Sequence, residues 1–95
     1  MPEMLFHIRW PNGTIERCYS PSLVIRDHLA AGETYSVPEF LRRSRVALTI
    51  ASDRVREKYG FACSRARGQL ARLESAAGRF DDNSGDRVTV ISFHE

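Results

Sequence analysis

The chain begins with an alternation of apolar and polar residues that predicts a β-strand over residues 4–10. Every second side chain in this stretch is large and apolar: Met4, Phe6, Ile8 and Trp10. The dipeptide Asn12-Gly13 follows, and it favours the positive φ angles of a tight β-turn. A second strand is predicted over residues 14–19, and its more polar character suits the edge of a sheet.

The centre of the chain changes to the helical period, with apolar residues three and four positions apart. Ser36 is placed as an N-cap, and Glu39 completes a capping-box spacing with it. The first helix is therefore predicted over Val37–Tyr59, and Gly60 is expected to end it in a left-handed conformation. A second helix is predicted over residues 62–77. Because the connection is so short, the two helices form a hairpin.

A short helix is predicted between Ser20, as its N-cap, and Gly32, where it ends. A last strand is predicted over residues 87–94, and its natural partner is the first strand. The element order β-β-α-α-α-β then predicts an α+β fold in a single domain, residues 1–95. We expect a three-stranded, mostly antiparallel sheet with the first strand central and the long helical hairpin packed on one face.

The composition is that of a globular domain. The chain has 95 residues, of which 42% are hydrophobic, and no apolar run is long enough to span a membrane. The first residues lack the pattern of a secretory signal. We therefore expect a cytoplasmic protein with no membrane partner.

The charge is distributed unevenly along the chain. The whole chain carries a formal charge of +2, but the segment from Arg42 to Arg72 holds nine basic and two acidic residues and therefore carries +7. This polarity suggests a binding face on the helical hairpin, while a solvated helix exterior is the alternative interpretation. The basic candidates for such a face are Arg42, Arg43, Arg45, Arg54, Arg56, Arg65, Arg67 and Arg72. Arginine and aromatic side chains dominate interface hot spots, so Trp10, Tyr19 and Tyr59 are added, with a core position as the alternative for each.

The two cysteines are the candidates for catalysis. Cys63 falls in the first turn of the second predicted helix, where helix N–H groups and nearby arginines lower a thiol pKa. Cys18, at the end of the second strand, is the weaker candidate. A nucleophilic role would require a histidine as base within hydrogen-bond reach. The alternative is that both cysteines are small buried residues of the core.

Metal and cofactor motifs are not found in the sequence. The three histidines have no metal-ligand spacing, and a zinc site at a His7/His94 cross-strand pair is the less favoured interpretation of polar strand residues. The acidic stretch at residues 81–86 lacks ligands that a calcium loop requires, and no glycine-rich phosphate loop is present. We therefore expect no metal and no cofactor.

Several motifs resemble a known family. They are Arg9-Trp10-Pro11-Asn12-Gly13, Cys18-Tyr19-Ser20-Pro21 and Tyr59-Gly60-Phe61-Ala62-Cys63. Together they resemble a family of small bacterial proteins named for a nitrogen-starvation response, over nearly the whole chain. The family motif has Asp where this chain has Asn12, and either residue makes the turn.

The resemblance implies a context more than a chemistry. Genes of this family are associated with a nitrilase gene cluster and with nitrogen scavenging, but the resemblance carries no catalytic residue over to this chain. Together with the small size, the uneven charge and the lack of a catalytic motif, it favours a non-enzymatic accessory or interaction protein that serves enzymes of that cluster as a homodimer. Two alternatives remain: a nucleic-acid-binding regulator that uses the basic hairpin, and a small thiol-dependent enzyme or carrier.

Overall fold

A computed structural model describes residues 3–60, 64–80 and 86–94. Four strands and three helices occupy these residues. In chain order they are β1 (Met4–Arg9), β2 (Ile15–Ser20), α1 (Ile25–His28), β3 (Thr34–Ser36), α2 (Val37–Tyr59), α3 (Ser64–Ala77) and β4 (Arg87–His94). None of the described helices combines the length and the apolar character needed to cross a membrane.

The predicted β-hairpin is confirmed. β1 pairs with β2 in antiparallel register, with Phe6 opposite Cys18. The turn is closed by two backbone hydrogen bonds of 2.8 Å, from Trp10 N to Thr14 O and from Gly13 N to Trp10 O. Gly13 has a φ of +89°, which a residue with a side chain adopts only at a cost, so the Asn-Gly pair determines this turn.

The sheet has four strands in the order β2-β1-β4-β3, so the prediction of three strands was wrong. β1 does lie between β2 and the last strand, as expected, but β3 adds a further strand beyond β4 and changes the element order. β3 has only three residues, which is too short for an alternating pattern to appear in sequence. The turn that leads into β3 is fixed to β4 by a hydrogen bond from Gly32 N–H to Val90 O at 2.7 Å.

The short helix α1 is much shorter than predicted. Ser20 does not cap it, because Ser20 is the last residue of β2. Its hydroxyl instead donates to Ser22 O at 2.8 Å and accepts from Ser22 N at 3.3 Å, which closes a local turn. The helix begins only at Ile25, and its C-cap residue Leu29 is already extended. Gly32 therefore belongs to the turn before β3 and does not end a helix.

The boundaries of α2 agree with the prediction at both ends. Ser36 Oγ accepts a hydrogen bond from Glu39 N at 3.3 Å, which is one of the two bonds of a capping box, while the Glu39 carboxylate accepts from Arg42 and Arg43. Gly60 ends the helix with a φ of +84°, and its N–H donates to Arg56 O at 2.7 Å. α3 is described from Ser64 onwards, so its predicted start at residue 62 lies outside the described residues.

The core forms a single layer between the sheet and the helices. The apolar side of β1 faces the helices, and Phe6 and Ile8 are completely buried there. Phe40 and Leu48 of α2 and Leu73 of α3 close the layer from the other side. Because side chains alternate along a strand, Leu5, His7 and Arg9 of β1 point to the opposite face of the sheet, where they are exposed or half-buried.

The outer edge of the sheet is partly covered by α3. Gln69 accepts a hydrogen bond from the backbone N–H of Tyr19 through Oε1 at 2.9 Å. This bond satisfies a β2 donor that has no neighbouring strand, and it limits the pairing of β2 with another chain.

Candidate functional site

The far end of the helical hairpin contributes little to the core. The last buried residue of α2 is Ser52, and the residues from Asp53 to Tyr59 are exposed or half-buried. A helix of this length spans about 34 Å, more than the strands beneath it. The last turns of α2 therefore do not pack on the sheet, and they present their surface to solvent.

A groove of about 230 Å³ lies between α2 and α3 near this end. Its floor is formed by Leu48 and Ala66, which are each 1% exposed, and by half-buried Leu70, which is its accessible apolar side chain. Arg56 and Arg67 stand at its rim together with Asp53, Thr49 and Ser52. Leu48 and Leu70 occupy apolar positions of the helical period, and only the packing of α2 against α3 buries Leu48 and leaves Leu70 half-buried.

The two arginines of the groove differ in their partners. Arg56 Nη2 lies 3.2 Å from Asp53 Oδ1, one helical turn away. Arg67 makes no ion pair within the part of the chain that the structure describes. The groove therefore offers an apolar floor beside one guanidinium that is available to a partner. Its volume is below the range of small-molecule pockets and is comparable with a few side chains of another protein.

The remaining arginines of α2 do not share one face. Arg43 donates to the backbone oxygen of His28 at 3.0 Å and stacks over Tyr35, so it points toward α1 and β3. Arg54 donates to Ser22 Oγ at 3.3 Å on the same flank. Arg45 pairs with Glu74 at 3.2 Å on the α3 flank, so the arginines of α2 lie on both sides of its buried stripe.

The arginines of α3 are divided as well. Arg65 stacks on the Tyr19 ring at 3.9 Å and lies 3.8 Å from Glu3, at the edge of the sheet. Arg72 lies beside Glu16, while Arg67 faces the groove. The +7 charge of the segment is therefore spread over separate places, and most of its arginines on α2 have a local partner.

Glu39 holds two of the candidate arginines at the start of α2. Its carboxylate accepts hydrogen bonds from Arg42 and from Arg43 Nε, the latter at 2.8 Å. The hydrogen bond from Arg42, followed by that from Arg43, lowers the pKa of Glu39 to about 2. Ionised Glu39 therefore stabilises the folded state above its unfolded pKa of about 4.5, and this stabilisation is lost as the pH falls toward 2.

The Glu39→Gln substitution is expected to lower the thermal unfolding midpoint at neutral pH and to have little effect near pH 2. The reason is that the stabilisation from the lowered pKa is largely lost near pH 2, where about half of wild-type Glu39 is protonated in the folded state. Thermal unfolding followed by circular dichroism between about pH 7 and about pH 2 measures the difference. Glu57→Gln on the same helix is the matched control, and a pH-independent effect of Glu39→Gln would contradict the assignment.

The three aromatic candidates have different environments. Trp10 is only 3% exposed and belongs to the core, so it offers no surface to a partner. Tyr19 is half-buried at the edge of the sheet. Tyr59 is 52% exposed at the last residue of α2, with Lys58 Nζ 5.6 Å from its ring centroid. Tyr59 is therefore the aromatic candidate on the exposed end of the hairpin.

Cys18 is a core residue. It is 1% exposed, and its Sγ contacts the backbone oxygen of Glu16 at 3.9 Å. Burial raises the pKa of the Cys18 thiol well above its usual range, and the nearby Glu16 carboxylate adds to the increase. This environment disfavours the thiolate that a nucleophile needs. Cys63 lies outside the described residues, so its interpretation stays a prediction.

Cys18 is expected to react slowly with a thiol reagent in the folded protein. In a Cys63→Ser variant, where Cys18 is the one remaining thiol, we expect modification by Ellman's reagent at neutral pH to be at least about a hundredfold slower than in denaturant. The absorbance of the released thiolate measures both rates. A native rate similar to the denatured rate would contradict a core position and would favour the thiol-dependent enzyme.

The histidines of the sheet form a pair without further metal ligands. His7 and His94 lie on adjacent strands with ring centroids 5.2 Å apart in an edge-to-face arrangement. His94 Nε2 is 2.9 Å from Ser92 Oγ, so that nitrogen already has a partner. In the described part of the chain no group of three metal-ligating side chains is formed. Residues 81–85 of the acidic stretch lie outside the described residues.

A comparison with protein families identifies the chain. A family model described as nitrogen starvation-induced protein NitG matches residues 5–93. The chain belongs to the NitG family. The match includes every strand and helix except the first residue of β1 and the last residue of β4, and it confirms the nitrogen-starvation family that the sequence motifs resemble. No curated protein and no solved structure matches the chain.

Membership in the NitG family connects the protein with nitrogen starvation but assigns no reaction to it. The matched segment contains the groove and the exposed end of the hairpin together with the core except Met4. The geometry of these surfaces is therefore the basis on which a molecular role can be argued.

Proposed function

We propose that this NitG-family protein is a non-enzymatic accessory protein of the nitrogen-starvation response, which binds another protein through the exposed end of its helical hairpin. The groove between α2 and α3 is the observation that carries the proposal. An apolar floor with an arginine and an aromatic residue beside it is the composition of an interface hot spot. The proposed partners are enzymes of a nitrilase gene cluster, in the cytoplasm.

The contacts of the groove support a protein partner over a small molecule. Leu70 is half-buried in the groove between the two helices, and Tyr59 is exposed at the last residue of α2. A stable protein interface buries more than about 1,000 Å² in total, so the partner would also cover the last turns of α2. Arg67 at the rim would then pair with a carboxylate of the partner.

A pull-down from nitrogen-starved extract tests the proposal. Tagged protein is the bait, each extract is divided into nuclease-treated and untreated halves, and the recovered proteins are identified by mass spectrometry. We expect enzymes of the nitrilase cluster in both halves. The Leu70→Asp bait, which places a charge in the groove floor, should recover them at least about tenfold less efficiently.

Val46→Asp is the matched control for this experiment. Val46 is exposed on α2, away from the groove lining, and it receives the same charge. Circular dichroism of both baits shows whether they remain folded. Recovery of no cluster enzyme, or equal recovery with Leu70→Asp and wild type, would oppose the proposal.

We also propose that the protein is a homodimer, because a chain of 95 residues buries a modest core and leaves part of α2 exposed. Sedimentation equilibrium at micromolar concentrations is expected to give twice the chain mass of 10.8 kDa. A single species at the chain mass over the same concentrations would rule out the dimer. It would not bear on the proposed binding of partner enzymes.

A further inference from the structure

The face of the sheet that is turned away from the helices forms a second surface, which we call the open sheet face. Its side chains come from outward positions of three strands, and each is exposed or half-buried. They are Leu5, His7 and Arg9 of β1, Ile15, Arg17 and Tyr19 of β2, and Arg87, Thr89, Ser92 and His94 of β4, with the His94 ring edge-to-face against His7. The proposed hairpin interface does not include this surface.

The open sheet face carries three arginines, one of which, Arg87, follows Asp86 in the sequence. Arg9, Arg17 and Arg87 are exposed, and none makes an ion pair with another described residue. Glu16 is the only carboxylate on the four strands, and it points to the helix side, where it accepts a hydrogen bond from Trp10 Nε1 at 3.0 Å. On α2, by contrast, Arg42, Arg43, Arg45 and Arg56 each have a carboxylate partner.

The strand register places the three arginines in a straight diagonal row. Arg9 is opposite Ile15 on β2, so Arg17 is its diagonal neighbour there. Arg9 is opposite Thr89 on β4, so Arg87 is its diagonal neighbour on the other side. Diagonal neighbours in an antiparallel sheet lie about 7–8 Å apart, which gives a regular row of guanidinium groups across three strands.

A second row, parallel to the arginines, carries two rings. Tyr19 on β2 is the diagonal neighbour of His7 on β1, because Tyr19 is opposite Leu5. The next position of this row on β4 is Thr89, which brings a hydroxyl group. The guanidinium of Arg65 stacks on the Tyr19 ring at 3.9 Å and adds a further planar cation at the same edge.

From this arrangement we propose that the open sheet face binds single-stranded nucleic acid. The phosphates follow the row of Arg17, Arg9 and Arg87. The bases lie over the row of Tyr19 and His7, where they stack on the His7 ring and on the Arg65 guanidinium that is layered on Tyr19. Proteins that bind single strands combine a cationic track with stacking platforms in this way, because every base has a π-face and every linkage has a charge.

The same features argue against other occupants of this face. A second copy of the chain would bring arginine against arginine, which is unfavourable without acids between them. A duplex keeps its bases paired and stacked, so it could use the arginines but not the rings. An acidic protein segment could also use the arginines, but it would not need a parallel row of rings, and it is therefore treated as an outcome of the test.

The test is fluorescence anisotropy with labelled oligo-dT and oligo-rU of about 12 nucleotides, titrated with the full-length protein at several salt concentrations. We expect binding that weakens with salt, with a slope of about −2 in log K against log salt for three phosphate contacts on a single strand. The two oligonucleotides distinguish DNA from RNA as the source of the ligand. Poly-glutamate as competitor and a duplex of the same length complete the set.

Variants assign the binding to the two rows. Arg9→Glu with Arg17→Glu should weaken binding at least about tenfold and reduce the salt slope. Tyr19→Leu should weaken binding by a few-fold to a hundredfold while leaving the salt slope unchanged, because it removes stacking and no charge. The charge-matched control is Arg26→Glu with Arg79→Glu, two exposed positions outside the open sheet face.

Several results would overturn the inference. These are no anisotropy change at roughly 100 µM protein in low salt, equal affinity for the duplex, or displacement by poly-glutamate as effective as displacement by unlabelled oligonucleotide. Loss of binding with Arg56→Glu and Arg67→Glu but not with Arg9→Glu and Arg17→Glu would place the site on the hairpin instead. The first three outcomes do not affect the pull-down, since Leu70→Asp leaves the open sheet face unchanged.

Discussion

Replacing Trp10 with alanine is expected to destabilise the protein by about 3–5 kcal/mol. The indole is 3% exposed and contacts the Phe40 ring edge-to-face and the Phe80 ring nearly in parallel, each with centroids 5.8 Å apart. Its Nε1 donates to Glu16 Oε1 at 3.0 Å, and the other oxygen of Glu16 has no hydrogen-bond partner among the described residues. Alanine would therefore leave a cavity and a carboxylate with no described donor.

This loss is large compared with the total stability of about 5–15 kcal/mol that small domains have. Urea unfolding followed by far-ultraviolet circular dichroism measures it, because Trp10 is the only tryptophan and its fluorescence is lost with the substitution. Trp10→Phe keeps an aromatic ring but removes the indole donor, so we expect about 1–3 kcal/mol. A Trp10→Ala variant within about 1 kcal/mol of wild type would favour the alternative that Trp10 is an interface residue.

Phe40→Ala is expected to have an effect of the same size, about 3–5 kcal/mol. Phe40 is completely buried in the first turns of α2 and packs on Trp10 at the joint between helix and sheet. The cavity would therefore lie at the point where the helical hairpin is fixed to β1. Urea unfolding with the same optical signal measures the change.

The neighbouring Leu41 provides the matched control, because it lies on the same helix but is only half-buried. Leu41→Ala should cost clearly less than Phe40→Ala. The double variant Trp10→Ala with Phe40→Ala should be destabilised by less than the sum of the single changes, since the two rings contact each other. Full additivity would contradict the direct contact.

The open sheet face and the hairpin end give the molecule two separate surfaces on opposite sides of one core. A core variant should weaken both proposed activities, protein binding and nucleic-acid binding, through loss of folded protein. Leu70→Asp should weaken protein binding alone, and the double variant Arg9→Glu with Arg17→Glu should weaken nucleic-acid binding alone. Comparing the core variants with the surface variants therefore separates stability from binding.

The family and several elements could be predicted from the sequence, and the reason is that their signals are local. The capping pair Ser36 and Glu39 determines where α2 begins, and Gly60 determines where it ends. Gly13 determines the turn of the β-hairpin. The burial of Phe6 and Ile8 follows from a period of two, which only a strand with one covered face explains.

The sequence also suggested a start and an end for the short helix that the tertiary structure does not have. Ser20 has the residue type of an N-cap, but the ladder with β1 extends β2 to that position, and the hydroxyl closes a turn with Ser22. Gly32 has the residue type of a helix end, but it turns the chain into β3, whose pairing depends on β4 more than fifty residues later. Local preference is weak where a distant strand supplies hydrogen bonds.

The family membership, the helical hairpin and the β-hairpin were thus determined by the sequence itself, since caps, turns and periodicity act between near neighbours. Only the tertiary structure decided where the charges of those elements meet. It pairs Arg45 with Glu74, leaves Arg67 at an open groove, and aligns Arg9 with Arg17. These arrangements depend on strand register and helix packing, which join residues far apart in the chain and have no signature in a single sequence.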